Sequence, residues 1–448
     1  MNNLEEKIIR VCKDNQNLFL YILVIGCVLF SYELVNFSLT IDEEIHIRLE
    51  SAEVTWLKQG RWGMYLLSAM ILPNPVIPTI PILIAILFSA LAYIVIMRVF
   101  QSKNITAQYM AAPFFVGCPT LYYVYHFSTL SYGVGIGFFV SALGYYGYIN
   151  NNKKIALLSI LFFAFAISIY QAFLLFIAVL FLFDMFNRLY FSDNENIKDV
   201  LWHAIKFVGI ILLSLILYFV ITETSYLLFN INNNGYTSGF FNLTNSLAYW
   251  EKTIPASIKT MGGHYLGRGA IYGNNILSLA VLFLLTFSVI VVEVLKSERR
   301  KVEKINLLLV LLLIIVTPFL LNITNRGFMP TRALIAVPLV ISGLVYFGWI
   351  CSAKYMRYAI GLVAIAVIFQ FSIANNKLAF ANQLSWEADK HLSFWIQSQI
   401  DDLNIQIDAP VLLTVIGVPS ERSKKIFFKS QTVGDSFFSH EGGNIYRI

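Results

Sequence analysis

Charge is what this chain has least of. Asp, Glu, Lys and Arg together make up 13% of its 448 residues, apolar residues make up 58%, and the mean hydropathy is +0.69. A chain this poor in charge is outside the soluble globular range. Cysteine is scarce too. Its four residues, at 12, 27, 118 and 351, lie in or beside apolar segments or in loops assigned to the cytoplasm, which excludes a disulfide framework. The six histidines show no metal-ligand spacing, so no metal is expected. No glycine-rich phosphate cradle appears in the cytoplasmic loops, which argues against a nucleotide-bound donor there. The net charge of +6 is spread thinly over short loops, and that distribution excludes a nucleic-acid partner.

What the chain has instead is a series of apolar runs. Each is about 17 to 25 residues long, enough to cross roughly 30 Å of hydrocarbon as a helix, whereas single strands would leave backbone groups unpaired in lipid. The runs predict crossings over 18–37, 82–99, 106–122, 130–149, 201–221, 276–295, 305–321, 334–350 and 358–374. The stretch 155–186 is too long for one crossing and is split at Tyr170 and Gln171, giving eleven. Lys7, Arg10 and Lys13 precede the first run, which is too long for a signal-peptide core and reads as an uncleaved anchor. Pro73, Pro75, Pro78 and Pro81 break any helix between a short amphiphilic piece, 64–72, and the second crossing. Tyrosines in the 122–127 loop suit an interfacial belt.

Orientation follows from lysine and arginine near the run ends. With the N-terminus inside, Arg98, Lys103, Lys153, Lys154, Arg188, Lys198, the basic cluster 296–304, Lys354 and Arg357 lie in the cytoplasm. The first loop (about 38–75), the long loop 223–275, the short loop 322–332 and the tail from 375 then share the outer face. The fold class expected is an all-α polytopic membrane protein over 1–374, followed by a small α/β domain over 375–448. In that tail 377–403 has helical spacing, and 411–418 and 425–428 read as strands.

The first loop carries Asp42, Glu43 and Glu44 in succession, a few residues after Glu33, and closes with Gln59-Gly60-Arg61-Trp62. Together with Ser168-Ile169-Tyr170-Gln171, the segment Asn325-Arg-Gly-Phe-Met-Pro-Thr-Arg332 and the tail Asp435-Ser-Phe-Phe-Ser-His-Glu-Gly-Gly-Asn-Ile-Tyr-Arg447, this order resembles the polytopic serotype-converting glucosyltransferases that decorate bacterial O-antigen. The resemblance implies a GT-C-like membrane transferase of the bacterial inner membrane, working on the periplasmic face without a cofactor. It implies a polyprenyl-phosphate-linked sugar donor and a lipid-linked O-antigen acceptor in a setting of membrane lipids. It also implies a small flippase and a donor-synthesising membrane enzyme as partners.

The residues themselves carry the same chemistry. A polyprenyl-phosphate sugar already has its leaving group, so the enzyme must deprotonate an acceptor hydroxyl and hold the departing phosphate. A carboxylate serves the first need, and Asp42 is the leading base, with Glu43 and Glu44 as further catalytic candidates. Guanidinium groups serve the second: Arg326 and Arg332, then Arg61 and Arg268. One base opposite one leaving group implies inversion. Glu33, Trp62, Tyr170, Gln171 and His264 are assigned to substrate contact, His264 from a loop over 261–268 that either closes over substrate or is a plain surface loop. Trp386, Trp395 and Phe437 are either sugar-stacking faces or core. Two competing readings are a flippase or transporter of lipid-linked sugars, and an O-antigen polymerase; the chain shows neither internal repeats nor midplane charges of the kind transport needs.

Overall fold

The computed structural model describes residues 15–40, 42–43, 54–72, 76–150, 153–191, 197–232, 249–402 and 428–436. Among them the helices of nine residues or more are α1 (Gln16–Leu29), α2 (Trp62–Met70), α3 (Ile80–Val99), α4 (Ile105–Val116), α5 (Ser128–Ile149), α6 (Lys153–Ile169), α7 (Phe173–Phe191), α8 (Ile197–Phe229), α9 (Trp250–Tyr265), α10 (Leu277–Lys296), α11 (Lys301–Val316), α12 (Val337–Cys351) and α13 (Lys354–Asp402). The described residues contain no strand, only an isolated antiparallel bridge between Ser430 and Val433. Six helical segments, within α3, α7, α8, α10, the stretch 301–324 and α13, are long and apolar enough to cross a membrane, and α1, 155–169 and α12 are shorter apolar helices. This is a helical membrane protein. The strands expected over 411–418 and nearly all of 425–428 lie outside the described residues.

Local chemistry sets the boundaries. Pro81 opens α3, where a missing N–H costs nothing. Asn104 caps α4 by accepting from the Ala107 N–H at 3.0 Å. The break expected at Tyr170 and Gln171 is present, since α6 ends at Ile169 and α7 begins at Phe173. The tail departs from the expected division: no proline interrupts 354–402, and α13 runs through 374–375 as one 49-residue helix. The loop expected over 261–268 also differs. Residues 261–265 are the last turn of α9, and His264 is buried there, because Gly263 brings the helix against Ile271.

The tyrosines of 122–125 do not form an interfacial belt. Tyr122 and Tyr123 are fully buried and Tyr125 nearly so, because each hydroxyl finds an internal partner: Glu33 at 2.8 Å, the Ile271 carbonyl at 2.6 Å and Ser89 at 2.8 Å. Buried hydroxyls need such partners. The helices pack closely behind them. A Cβ on Gly135 of α5 would lie 2.5 Å from the Ala85 Cα of α3 and 2.6 Å from its carbonyl oxygen, a backbone approach that only glycine allows.

The bundle has two chemically distinct ends. At one, Asn187 donates to the Phe100 carbonyl, Arg299 to that of Tyr190 and Arg357 to that of Trp349, which gathers the basic loops. At the other, the first loop meets Ser128, Arg332 and the 432–435 turn, and α9 packs against the 322–333 segment.

The Gly135 contact yields a stability test. Gly135→Ala is expected to cost about 1–3 kcal/mol through overpacking and to lower the thermal midpoint in detergent. Gly209→Ala, with nothing within 4 Å of the added carbon, is expected to leave the midpoint unchanged or raise it.

Candidate active site

The site is built on the start of α5. Glu43 is fully buried, and one of its carboxylate oxygens accepts from both the backbone N–H and the hydroxyl of Ser128, the first residue of that helix. Its other oxygen accepts from the Thr40 N–H at 2.9 Å. Thr40-x-x-Glu43 is thus the return half of a capping box, in which the glutamate satisfies an orphan N–H at the head of a turn. A negative group at a helix N-terminus is favoured by the exposed N–H groups and by the helix dipole. Burial pushes the Glu43 pKa above the ordinary carboxylate range, while the Ser128 and Thr40 hydrogen bonds pull it back.

With Glu43 turned inward, its neighbour Asp42 faces out. The Asp42 side chain is 62% exposed, and its carboxylate lies 3.8 Å from the Arg332 guanidinium. Arg332 lies over the Phe127 ring, 5.5 Å from its centroid. The preceding residue is clamped: the Gln431 amide oxygen accepts from the Thr331 N–H at 2.8 Å, and its NH₂ donates to the Thr331 hydroxyl at 2.8 Å. The structure therefore brings Asp42, Glu43 and Arg332 together across nearly 300 residues of sequence.

Two histidines line this region in neutral form. The His126 Nδ1–H donates to the Tyr122 carbonyl at 2.7 Å, leaving Nε2 to accept from the Thr432 hydroxyl at 3.4 Å. Burial, with the nearby Arg332 charge as a lesser cause, lowers its pKa to about 3. The His264 Nδ1–H donates to the Thr260 carbonyl at 2.8 Å, and Nε2 faces the Thr331 hydroxyl at 3.5 Å. Burial lowers its pKa to about 4. His264 thus supports the Arg332 segment from below and does not close over substrate from a loop.

The other candidates fall elsewhere. Glu33 accepts from Tyr122, whose hydroxyl also receives a hydrogen bond from Asn382 at 3.0 Å, and Glu33 lines a small cleft with His126 and Ser128. Arg61, Trp62, Tyr170 and Gln171 form a second cluster. The Arg61 guanidinium lies 4.9 Å from the Tyr170 ring centroid and 5.6 Å from that of Trp56, and it donates to Gln171 at 3.3 Å. Trp62 packs against Phe165. Gly60, at φ +70°, turns the chain into this cluster. Arg326 and Arg268 are both exposed, the former in a left-handed turn at φ +52°. Glu44 lies outside the described residues, and no group of three His, Cys, Asp or Glu gathers among the described ones.

An apolar helical bundle that presents a carboxylate and a guanidinium side by side at one end fits the class of membrane enzymes that transfer glycosyl groups. Residues 31–352, most of the chain, match the family model described as glucosyl transferase GtrII. The chain belongs to that family and is a glycosyltransferase. No curated protein and no solved structure matches it.

The buried histidines set a pH dependence. Unfolded histidine takes up a proton near pH 6.5, whereas the folded side chains resist it down to about 4 and about 3. Between these limits the unfolded state binds more protons at these two positions, so their contribution to stability is complete above about pH 6.5 and falls as the pH drops towards 4, while the raised Glu43 carboxyl acts in the opposite direction. The thermal midpoint of the detergent-solubilised wild type, taken relative to that of His264→Gln, should therefore decline over that interval. A wild-type-to-variant difference independent of pH there would contradict the assignment.

Proposed function

We propose that the protein moves a glucosyl group from polyprenyl-phosphate-glucose to a hydroxyl of lipid-linked O-antigen on the periplasmic face of the bacterial inner membrane. The observation that carries this reading is the pairing of an exposed carboxylate, Asp42, with the Arg332 guanidinium at 3.8 Å. That pairing suits a reaction needing a base for one oxygen and a cation for another. Within the reading, the chain crosses the membrane eleven times with its N-terminus in the cytoplasm and carries a small α/β cap at its C-terminal end. A flippase supplies the donor to the outer leaflet, and a membrane enzyme synthesises it.

Asp42 takes the proton from the acceptor hydroxyl as that oxygen attacks the anomeric carbon. The bond between the anomeric carbon and the phosphate oxygen breaks, its electron pair leaves with the polyprenyl phosphate, and Arg332 meets the charge that appears there. Attack opposite the leaving group inverts the anomeric centre in one step. Glu43, with both oxygens engaged by Thr40 and Ser128, is a positioning residue that holds Asp42 in place.

The test is glucosyl transfer by purified full-length protein from polyprenyl-phosphate-glucose to O-antigen acceptor. Asp42→Asn should lower kcat by about 10²-fold or more and abolish the acidic limb of the pH–rate profile. Arg332→Lys, which keeps the charge but loses the planar fork, should cost about tenfold. Glu43→Gln should lose activity and keep the acidic limb. Transfer undiminished in Asp42→Asn would remove the assigned base, and no transfer by the wild type would remove the reading itself.

A further inference from the structure

The helix that backs the Arg332 segment has its polarity reversed. α9 turns Thr253, Ser257, Thr260 and His264, spaced i, i+4, i+7 and i+11, towards the protein. There the Thr260 hydroxyl donates to the Gly327 carbonyl at 3.3 Å, and His264 lies 3.5 Å from the Thr331 hydroxyl. A Cβ on Gly327, at φ +88°, would sit 2.4 Å from that of Ala256, so this polar face is tightly packed. Away from the protein, Trp250, Ile254 and Ile258 recur at i, i+4 and i+8 and are 58, 45 and 57% exposed. A helix beside water does the opposite and buries its apolar stripe. Lys252 and Lys259, seven residues apart, form a separate exposed stripe, and the helix has one acid, Glu251.

The C-terminal end of α9 sets its depth. Tyr265 is buried, its ring stacks on Phe283 of α10 with centroids 4.7 Å apart, and its hydroxyl donates to the Ile315 carbonyl of α11 at 2.9 Å. Both partners belong to segments long and apolar enough to cross a membrane. Phe283 lies six residues past Leu277, the first residue of α10, which is about 9 Å along the helix at roughly 1.5 Å per residue. Leu277 itself is 73% exposed, so α10 already presents an apolar surface above the level at which α9 is anchored. α9 also packs against the 320–324 turn, whose Leu320 and Ile323 are exposed, and its apolar stripe continues that surface. We infer that α9 is an interfacial helix: the stripe of Trp250, Ile254 and Ile258 docks into the phospholipid leaflet at the Asp42 end of the bundle, and Lys252 and Lys259 reach the phosphates of that leaflet. Such helices sink their apolar face to the boundary between headgroups and acyl chains, and the exposed Tyr249 and Trp250 are the residue types that settle there. Because the opposite face holds Gly327 and Thr331, the segment that carries Arg332 is referenced to the membrane surface through α9.

The test is tryptophan fluorescence of the full-length protein in phosphatidylcholine vesicles, which needs no substrate and is independent of the transfer reading. The contribution of Trp250 is the wild-type signal minus that of Trp250→Phe, with Trp250→Tyr as the reference if the Phe variant fails to fold. Bromine atoms in the upper part of the acyl chains should quench that contribution about twofold or more, bromines near the chain ends should quench it less, and aqueous iodide should leave it nearly unchanged. When Lys252→Trp is added to Trp250→Phe, the relocated indole should be quenched by iodide and much less by lipid bromines. A Trp250 contribution quenched by iodide and not by lipid bromines would put the stripe in water, and one protected from both would put it under another protein or a second copy of the chain. Either result overturns the inference.

Discussion

The site depends on one buried carboxylate at the head of one helix. Glu43 gives one oxygen to the first N–H and hydroxyl of α5 and the other to Thr40, so the short first-loop turn is fixed against the longest-buried wall of the bundle. Removing a charge from water is costly unless its hydrogen bonds are replaced, and here the free N–H groups of a helix start replace them. The consequence reaches the neighbouring residue. With Glu43 committed inward, Asp42 is left exposed at the surface that Arg332 also reaches.

Arg332 is held from the opposite direction by elements remote in sequence. Thr331 is gripped by Gln431 and backed by His264, while Phe127 lies beneath the guanidinium. The first loop, the end of α9, the 322–333 segment and the 428–436 turn therefore share one polar junction. Such a junction is stable only where each member is satisfied, and the two neutral histidines fit that condition because each ring nitrogen has a partner of matching type. The apolar helices behind it position these pieces and add no chemistry of their own.

Much of this was legible in the sequence because membrane burial constrains it strongly. Low charge and long apolar runs gave the helical membrane class, and the polar pair Tyr170-Gln171 within one such run marked the break between α6 and α7. The ordered motifs pointed to the glucosyltransferase family. Other features were hidden for physical reasons. The tyrosines at 122–125 look interfacial by composition, and only their partners, scattered from Glu33 to Ile271, reveal that they are core. His126 has no motif around it, and neither does the clamp of Gln431 on Thr331, since both are made by tertiary contact. The continuity of α13 was masked by its change from apolar to polar surface near 375, which alters hydropathy without altering helical geometry. The role of Glu43 had a visible signal in Thr40-x-x-Glu43, a capping box that distinguishes the inward acid from the outward one.

The central claim is that Asp42 and Arg332 serve one and the same sugar-phosphate. A structure of the full-length protein bound to polyprenyl-phosphate-glucose tests it most directly. The account predicts phosphate density within hydrogen-bonding distance of Arg332, with the anomeric carbon turned towards the Asp42 side of the cleft. Phosphate found at the basic end of the bundle, or held by Arg61 with Arg332 out of reach, would contradict it.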